Sequence, residues 1–132
     1  MNKENVLIII TLAFLLAILA FTFFENSDPR SDTSFVIDSS DTLFVGENYN
    51  LNFVNKNYIK IPNKPIKIIL KDSYNQTRMY HINSTRIGVV AFPMNVEPGN
   101  YTITVIFEGD TYYKSSNVSQ EIIVINKFYK SQ

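Results

Sequence analysis

The chain is 132 residues long, with twelve Lys and Arg against twelve Asp and Glu, one His, no Cys and no Trp. That length holds one domain and little more; the missing Cys excludes disulfides, thiolate nucleophiles and Cys-ligated zinc, and a single His leaves little for a His-based metal site or catalytic dyad. A net charge of zero argues against non-specific nucleic-acid binding, which needs surplus cations to set against phosphates.

Residues Val6 to Phe24 carry no charge, and 14 of these 19 are Val, Leu, Ile or Phe. At ~1.5 Å per residue the run spans about 28 Å, close to the ~30 Å hydrocarbon layer of a bilayer. It predicts a transmembrane helix over 6–24 within an anchor segment 1–24. Lys3 and the amino terminus precede the run, whereas Glu25, Asp28 and Asp32 outnumber Arg30 after it, so the amino terminus is expected inside and the rest outside the cell. A cleaved signal peptide is the other reading, but Ala17 and Ala20 are the only small residues suited to a cleavage site, and the run is longer than a typical ~7–15-residue signal core. An uncleaved, single-pass anchor in the cell membrane is therefore expected.

Residues 25–33 are polar, contain Pro29 and read as a linker. From residue 25 onward Ile, Val, Thr, Tyr and Phe account for 43 of 108 residues, and Ala with Leu for only four. That composition suits pleated sheet and offers no amphipathic helix. Strands are expected at Phe35–Asp38, Leu43–Val45, Tyr49–Val54 and Ile66–Lys71, then at Arg78–Ile82 and Gly88–Phe92, joined by a polar connection. After the Pro98-Gly99 turn signal the clearest strand sets Tyr101, Ile103, Val105 and Phe107 on one face; a last strand covers Val118–Ile125, and 127–132 is a polar tail. About seven short strands with regular turn signals predict an all-β antiparallel sandwich over 34–126.

The run Pro98-Gly99-Asn100-Tyr101-Thr102-Ile103-Thr104-Val105, continuing as Phe107-Glu108-Gly109-Asp110-Thr111-Tyr112-Tyr113-Lys114-Ser115-Ser116, resembles the last hairpin of bacterial and archaeal immunoglobulin-like (Big-type) repeats. Asn63-Lys64-Pro65-Ile66 is similar to the family's middle strands. The resemblance implies an immunoglobulin-like fold and a binding or structural role, as in the adhesin-like surface proteins of methanogenic archaea. The chain departs from the family in the turn before the strand that precedes Pro98-Gly99, where Asn83 to Arg86 fill most of the region and only Gly88 remains, and in holding one copy of a usually tandem unit. Apart from the family, Gly99 and Gly109 permit left-handed turns, Asp110 can accept bonds from its own turn amides, and Tyr101 is placed to form a tyrosine corner.

Four N-x-S/T sequons, at Asn75, Asn83, Asn100 and Asn117, compare with about two expected by chance from the Asn and Ser/Thr content; they are glycosylation candidates, with Asn75, Asn83 and Asn117 expected in loops. Lys56, Lys60, Lys64, Lys67 and Lys71 occur with no acidic residue among them until Asp72, and read either as a basic strip for an anionic wall polymer or headgroup or as lysines guarding an edge hairpin. Tyr112 and Tyr113 should point opposite ways, one into the core and one toward a partner. Glu108 and Asp110 with Asp38 or Asp41 offer oxygen ligands for Ca²⁺, without a loop-type ligand spacing to support such a site. His81 has no neighbouring carboxylate or nucleophile in sequence to make it a base, and no cofactor or small-molecule motif occurs. The expectation is a non-catalytic, membrane-anchored surface domain; the alternative is an accessory subunit of an envelope or transport complex whose helix packs on partner helices, with Thr11 and Thr22 as the polar contacts.

Overall fold

The computed structural model describes residues 2–26 and 28–127, with side chains omitted over 20–26; the expected tail thus lies outside the described residues except for Lys127. Helix α1 spans Lys3–Asn26, 24 residues, or about 36 Å at ~1.5 Å per residue. Asn2 caps it, its Oδ1 accepting from the amides of Glu4 at 2.7 Å and Asn5 at 3.4 Å. Among the described residues no helix is long and apolar enough to cross a membrane; described side chains stop at Leu19, five residues before the charge-free run ends at Phe24.

Eight strands follow: β1 (Thr33–Ile37), β2 (Thr42–Phe44), β3 (Asn48–Asn55), β4 (Pro65–Asp72), β5 (Thr77–Asn83), β6 (Val89–Pro93), β7 (Gly99–Phe107) and β8 (Ser116–Ile125). They form a three-stranded sheet, β1-β3-β6, and a five-stranded sheet, β2-β8-β7-β4-β5, an arrangement compatible with a sandwich. The count exceeds the expected seven, and one pair is parallel, β2 on β8. The cause is a change of sheet at residues 38–41. Ser39 Oγ accepts from Asn50 N at 2.7 Å and Ser40 Oγ from Thr42 N at 3.2 Å, so the chain steps across without reversing and lands alongside β8. Likewise β5 and β6 do not pair with each other: β5 closes on β4, and residues 84–88 carry the chain to the other sheet, where β6 meets β3.

The period-2 pattern decides which side chains are buried. In β7, Ile103, Val105 and Phe107 are buried between half-exposed Thr102, Thr104 and Ile106. Beside them in the same sheet lie Ile66, Ile68 and Leu70 of β4, and from the other sheet come Tyr49, Leu51 and Phe53 of β3, each with 0–2% of its surface exposed. Phe53 joins the sheets, stacked on Phe35 at 4.9 Å between centroids and tilted against Phe107 at 4.8 Å, geometries that aromatic quadrupoles favour. Tyr49 reaches across to β8, where its hydroxyl donates to Gln120 Oε1 at 2.5 Å. Burial pushes its phenol up to about 12, so it stays protonated and a donor at neutral pH.

Gly88 closes the 84–88 crossing at φ +74°, its carbonyl accepting from Phe53 N at 2.9 Å. A Cβ there would lie 2.5 Å from Lys60 Cβ and 2.9 Å from Ile61 N, whereas at Gly46 (φ +85°) the nearest atom would be Asn95 Oδ1 at 3.6 Å. Both positions carry the left-handed penalty of about 1–2 kcal/mol, and Gly88 adds a clash with backbone. In urea denaturation Gly88→Ala should therefore lose about 2–4 kcal/mol and Gly46→Ala about 1–2; equal losses would mean that the 56–61 segment yields freely.

Candidate binding surface

One end of the sandwich is built where the chain arrives from α1. Instead of a free linker over 25–33, residues 28–33 are tied down, and β1 already begins at Thr33. Ser31 forms a parallel bridge with Tyr113: its amide donates to Tyr112 O and its carbonyl accepts from Lys114 N, both at 2.9 Å. Thr33 Oγ1 lies 2.8 Å from both Lys114 O and Ser116 Oγ, and Lys114 Nζ lies 3.1 Å from Asp32 Oδ1. Arg30 grips Asp28 through Nε at 3.1 Å and NH2 at 2.8 Å, a fork that lowers the exposed Asp28 carboxyl to about 2.

Asp110 organises the β7–β8 connection. Its Oδ1 accepts from the amides of Tyr112 and Tyr113, both at 2.8 Å, which is the turn role expected of it. Its Oδ2 takes Lys64 Nζ at 2.7 Å, and the same Nζ stands 5.2 Å from the centroid of the Tyr113 ring. Lys67 Nζ bonds Glu108 Oε1 at 2.6 Å. The neighbouring ammonium lowers each carboxyl, Lys64 for Asp110 and Lys67 for Glu108. Tyr113 packs against the core and Tyr112 is 73% exposed, the divergence anticipated for the pair.

The fold divides the lysine series. Lys64 and Lys67 are ion-paired by residues more than forty positions away, and Lys71 lies on β4 opposite Thr102 of β7 and Thr77 of β5. Lys56 and Lys60 stay exposed in the β3–β4 connection. The β4–β5 hairpin closes one edge of the five-stranded sheet, but its lysines sit on β4, between β7 and β5, while the edge strand β5 carries Met79, exposed His81 and Arg78. No basic strip results.

All four sequon asparagines are exposed. Asn75 sits at φ +63° in the β4–β5 turn, where Asp72 Oδ1 accepts from Tyr74 N and Gln76 N. Contrary to the loop expectation, Asn83 ends β5 and Asn117 lies within β8. With Asn100 of β7 they share the outward face of the five-stranded sheet, since their neighbours Ile82, Tyr101 and Val118 pack inward.

The expected corner forms at the other end: Tyr101 donates its hydroxyl to Glu97 O at 2.5 Å, four residues upstream, beside the Pro98-Gly99 turn. Burial, then the nearby Glu97 carboxylate, raises the Tyr101 phenol. This end also carries an open depression of about 830 Å³ bordered by Asp72, Tyr74, Arg78, Glu97 and Tyr101. Asp41, whose carbonyl accepts from Ile123 N, lies there too, so the candidate Ca²⁺ ligands are separated by the length of β7, about 27 Å at ~3.4 Å per residue. Among the described residues no three His, Asp or Glu cluster as a metal site. Arg86, Tyr58, Ile59 and Ile87 carry no motif that singles them out; their only signal in the sequence is large apolar residues beside cations in two connections.

No family model matches this sequence, and no curated protein is significantly similar to it.

Asp110 supplies both a turn and an ion pair, which substitution separates. Asp110→Asn keeps an acceptor for the two amides and loses only a largely solvated pair, so it should cost under about 1 kcal/mol; Asp110→Ala loses the amide bonds too and should cost about 1–2 kcal/mol. Because the folded pKa of Asp110 lies below its unfolded value, the pair stabilises fully above the ordinary carboxylate range and fades as pH falls through the folded value. Stability measured from pH 6 down to about pH 2 should show a shallower acid decline in Asp110→Asn than in the parent.

Proposed function

We propose that the chain is a membrane-anchored, immunoglobulin-like domain held outside the cell by α1, with a binding or structural role of the adhesin-like kind and no catalysis. The observation that carries this reading is the surface of α1. Eleven of its large apolar side chains, from Val6 to Leu19, are 41–68% exposed and occupy every face of the helix. A helix apolar all round needs lipid or other helices around it, and the charge-free sequence through Phe24 supplies the remaining length. Lys3 before the run and the acidic flank after it favour an inside amino terminus.

Support for the immunoglobulin-like assignment comes from three features: the first edge divided between the sheets as β1 and β2, the sandwich pairing of β3 and β6 opposite β4, β7 and β8, and the Tyr101 corner at the start of β7. The exposed sequons are compatible with glycan on the outward sheet face if the domain meets the enzymes that add it. The accessory-subunit alternative gains little from Thr11, whose hydroxyl already donates to Leu7 O at 2.9 Å within the helix; the side chain of Thr22 lies outside the described residues.

The Cys-free sequence allows a direct test. Single-cysteine variants Ser73→Cys, in the exposed β4–β5 turn, and Asn2→Cys would be treated on intact cells with a membrane-impermeant maleimide. Ser73→Cys should label at once and Asn2→Cys only after permeabilisation, with both in the membrane fraction. Recovery in the soluble fraction, or the reverse labelling order, would overturn the reading.

A further inference from the structure

We infer that the end of the sandwich built from the 28–33 stem and the 56–64, 84–88 and 108–115 connections is a docking surface for anionic lipid headgroups, seating the domain on the bilayer. The inference rests on the proposed anchoring of α1.

Chain length sets which end is nearest the helix. Five Cα steps separate Asn26 from Ser31, at most about 19 Å, and Ser31 is already bridged to Tyr113. The connections at this end are bonded into one surface. Lys64 meets Asp110, Asn63 N donates to Ser84 O at 3.1 Å, Ser84 N donates to Lys64 O at 2.8 Å, and Gly88 abuts Lys60. With the helix in lipid, this surface faces the headgroups.

Its charge fits them. All four acids here are matched: Asp28 with Arg30, Asp32 with Lys114, Glu108 with Lys67 and Asp110 with Lys64. Lys56, Lys60 and Arg86 enter none of the ion pairs among the described residues, so the surplus is cationic. The opposite end is the reverse, with Asp38, Asp41, Glu47, Asp72 and Glu97 in or beside its turns against Lys71, Arg78 and Lys127. A neutral chain is therefore polarised along the sandwich, and cations within a Debye length of an anionic surface are attracted to it.

Exposed apolar side chains stand among those cations: Tyr58 at 76%, Ile59 at 61%, Ile87 at 67% and Tyr112 at 73%. Tyr belongs at headgroup depth, ring toward the acyl chains and hydroxyl toward water. Tyr58 is held out at φ +61°, a conformation rare for a bulky residue. A purpose-built turn keeps it there: Tyr58 N donates to Asn55 O and Asn55 N to Ile59 O, both at 2.9 Å, while Asn55 Oδ1 accepts from Asn57 N and Ile59 N. Tyr74 is more exposed still, at 84%, but it lies at the acidic end and serves as the control.

Because the chain has no Trp, single Trp variants report location. The full chain would be reconstituted in nanodiscs of phosphatidylcholine with phosphatidylglycerol, with and without brominated acyl chains, as Phe14→Trp, Tyr58→Trp, Tyr112→Trp and Tyr74→Trp. Side chains about 5–10 Å into the headgroup boundary lie within quenching reach, so Tyr58→Trp and Tyr112→Trp should lose roughly half of their emission and Tyr74→Trp none. Adding Lys56→Glu, Lys60→Glu and Arg86→Glu should abolish the loss at Tyr58→Trp and leave that at Phe14→Trp. Quenching at Phe14→Trp alone would overturn the docking surface while keeping the anchor, and would turn this end toward a protein partner. No quenching at Phe14→Trp would overturn the anchor and the docking together. Equal quenching at Tyr74→Trp, or survival in the charge-reversed variant, would overturn the docking.

Discussion

The tie between residues 28–33 and the β7–β8 connection constrains everything else in this chain. Without it, a helix and a sandwich joined by a short polar stretch would have no fixed relation, and no end of the sandwich would differ in meaning from the other. The bridge of Ser31 with Tyr113 narrows that freedom to the five Cα steps between Asn26 and Ser31. It depends in turn on Asp110, which folds the connection by accepting the amides of Tyr112 and Tyr113 and draws in Lys64 from the β3–β4 side. One carboxylate thus organises a turn, a strand connection and, through the turn, the entry point of the chain.

Much of the sandwich is legible in the sequence because alternation is a local property. Tyr101, Ile103, Val105 and Phe107 predict their own burial, and the Pro98-Gly99 turn ahead of Tyr101 predicts the corner hydrogen bond to Glu97. What escapes is non-local. Lys64 and Lys67 read as free cations because Asp110 and Glu108 lie 46 and 41 positions away. That the lysines fall on the inner strand of the edge hairpin is hidden as well, because nothing in Pro65–Asp72 announces that β7 will pair with its other side. The parallel β2–β8 pair is hidden for the same reason: a three-residue strand shows neither its partner nor its direction. Asn83 and Asn117 look like loop residues because polar side chains on an outward sheet face have the composition of a loop.

The candidate surface is harder to read than the fold because its residues are unremarkable one at a time. Tyr58, Ile87 and Tyr112 come from three connections, and an exposed apolar residue is ordinary by itself. Their meaning comes from convergence at one end with cations whose local acids are already paired. A formal net charge of zero conceals this, since it sums a cationic end and an acidic end into nothing.

That polarity also bears on how such a domain would meet a partner. If the cationic end rests on lipid, the acidic end with its open depression beside Tyr74 and Arg78 is carried farthest from the bilayer, and the outward face of the five-stranded sheet stands between them. That face holds Asn83, Asn100 and Asn117, so glycan at these positions would cover it and leave the acidic end as the accessible protein surface. A seated domain loses less orientational freedom on binding than one swinging on a tether, which lowers the entropic cost of association. Partner recognition would then fall to the turns around Tyr74 and Glu97, positions that a rigid sandwich holds in place and that the burial of the core does not constrain.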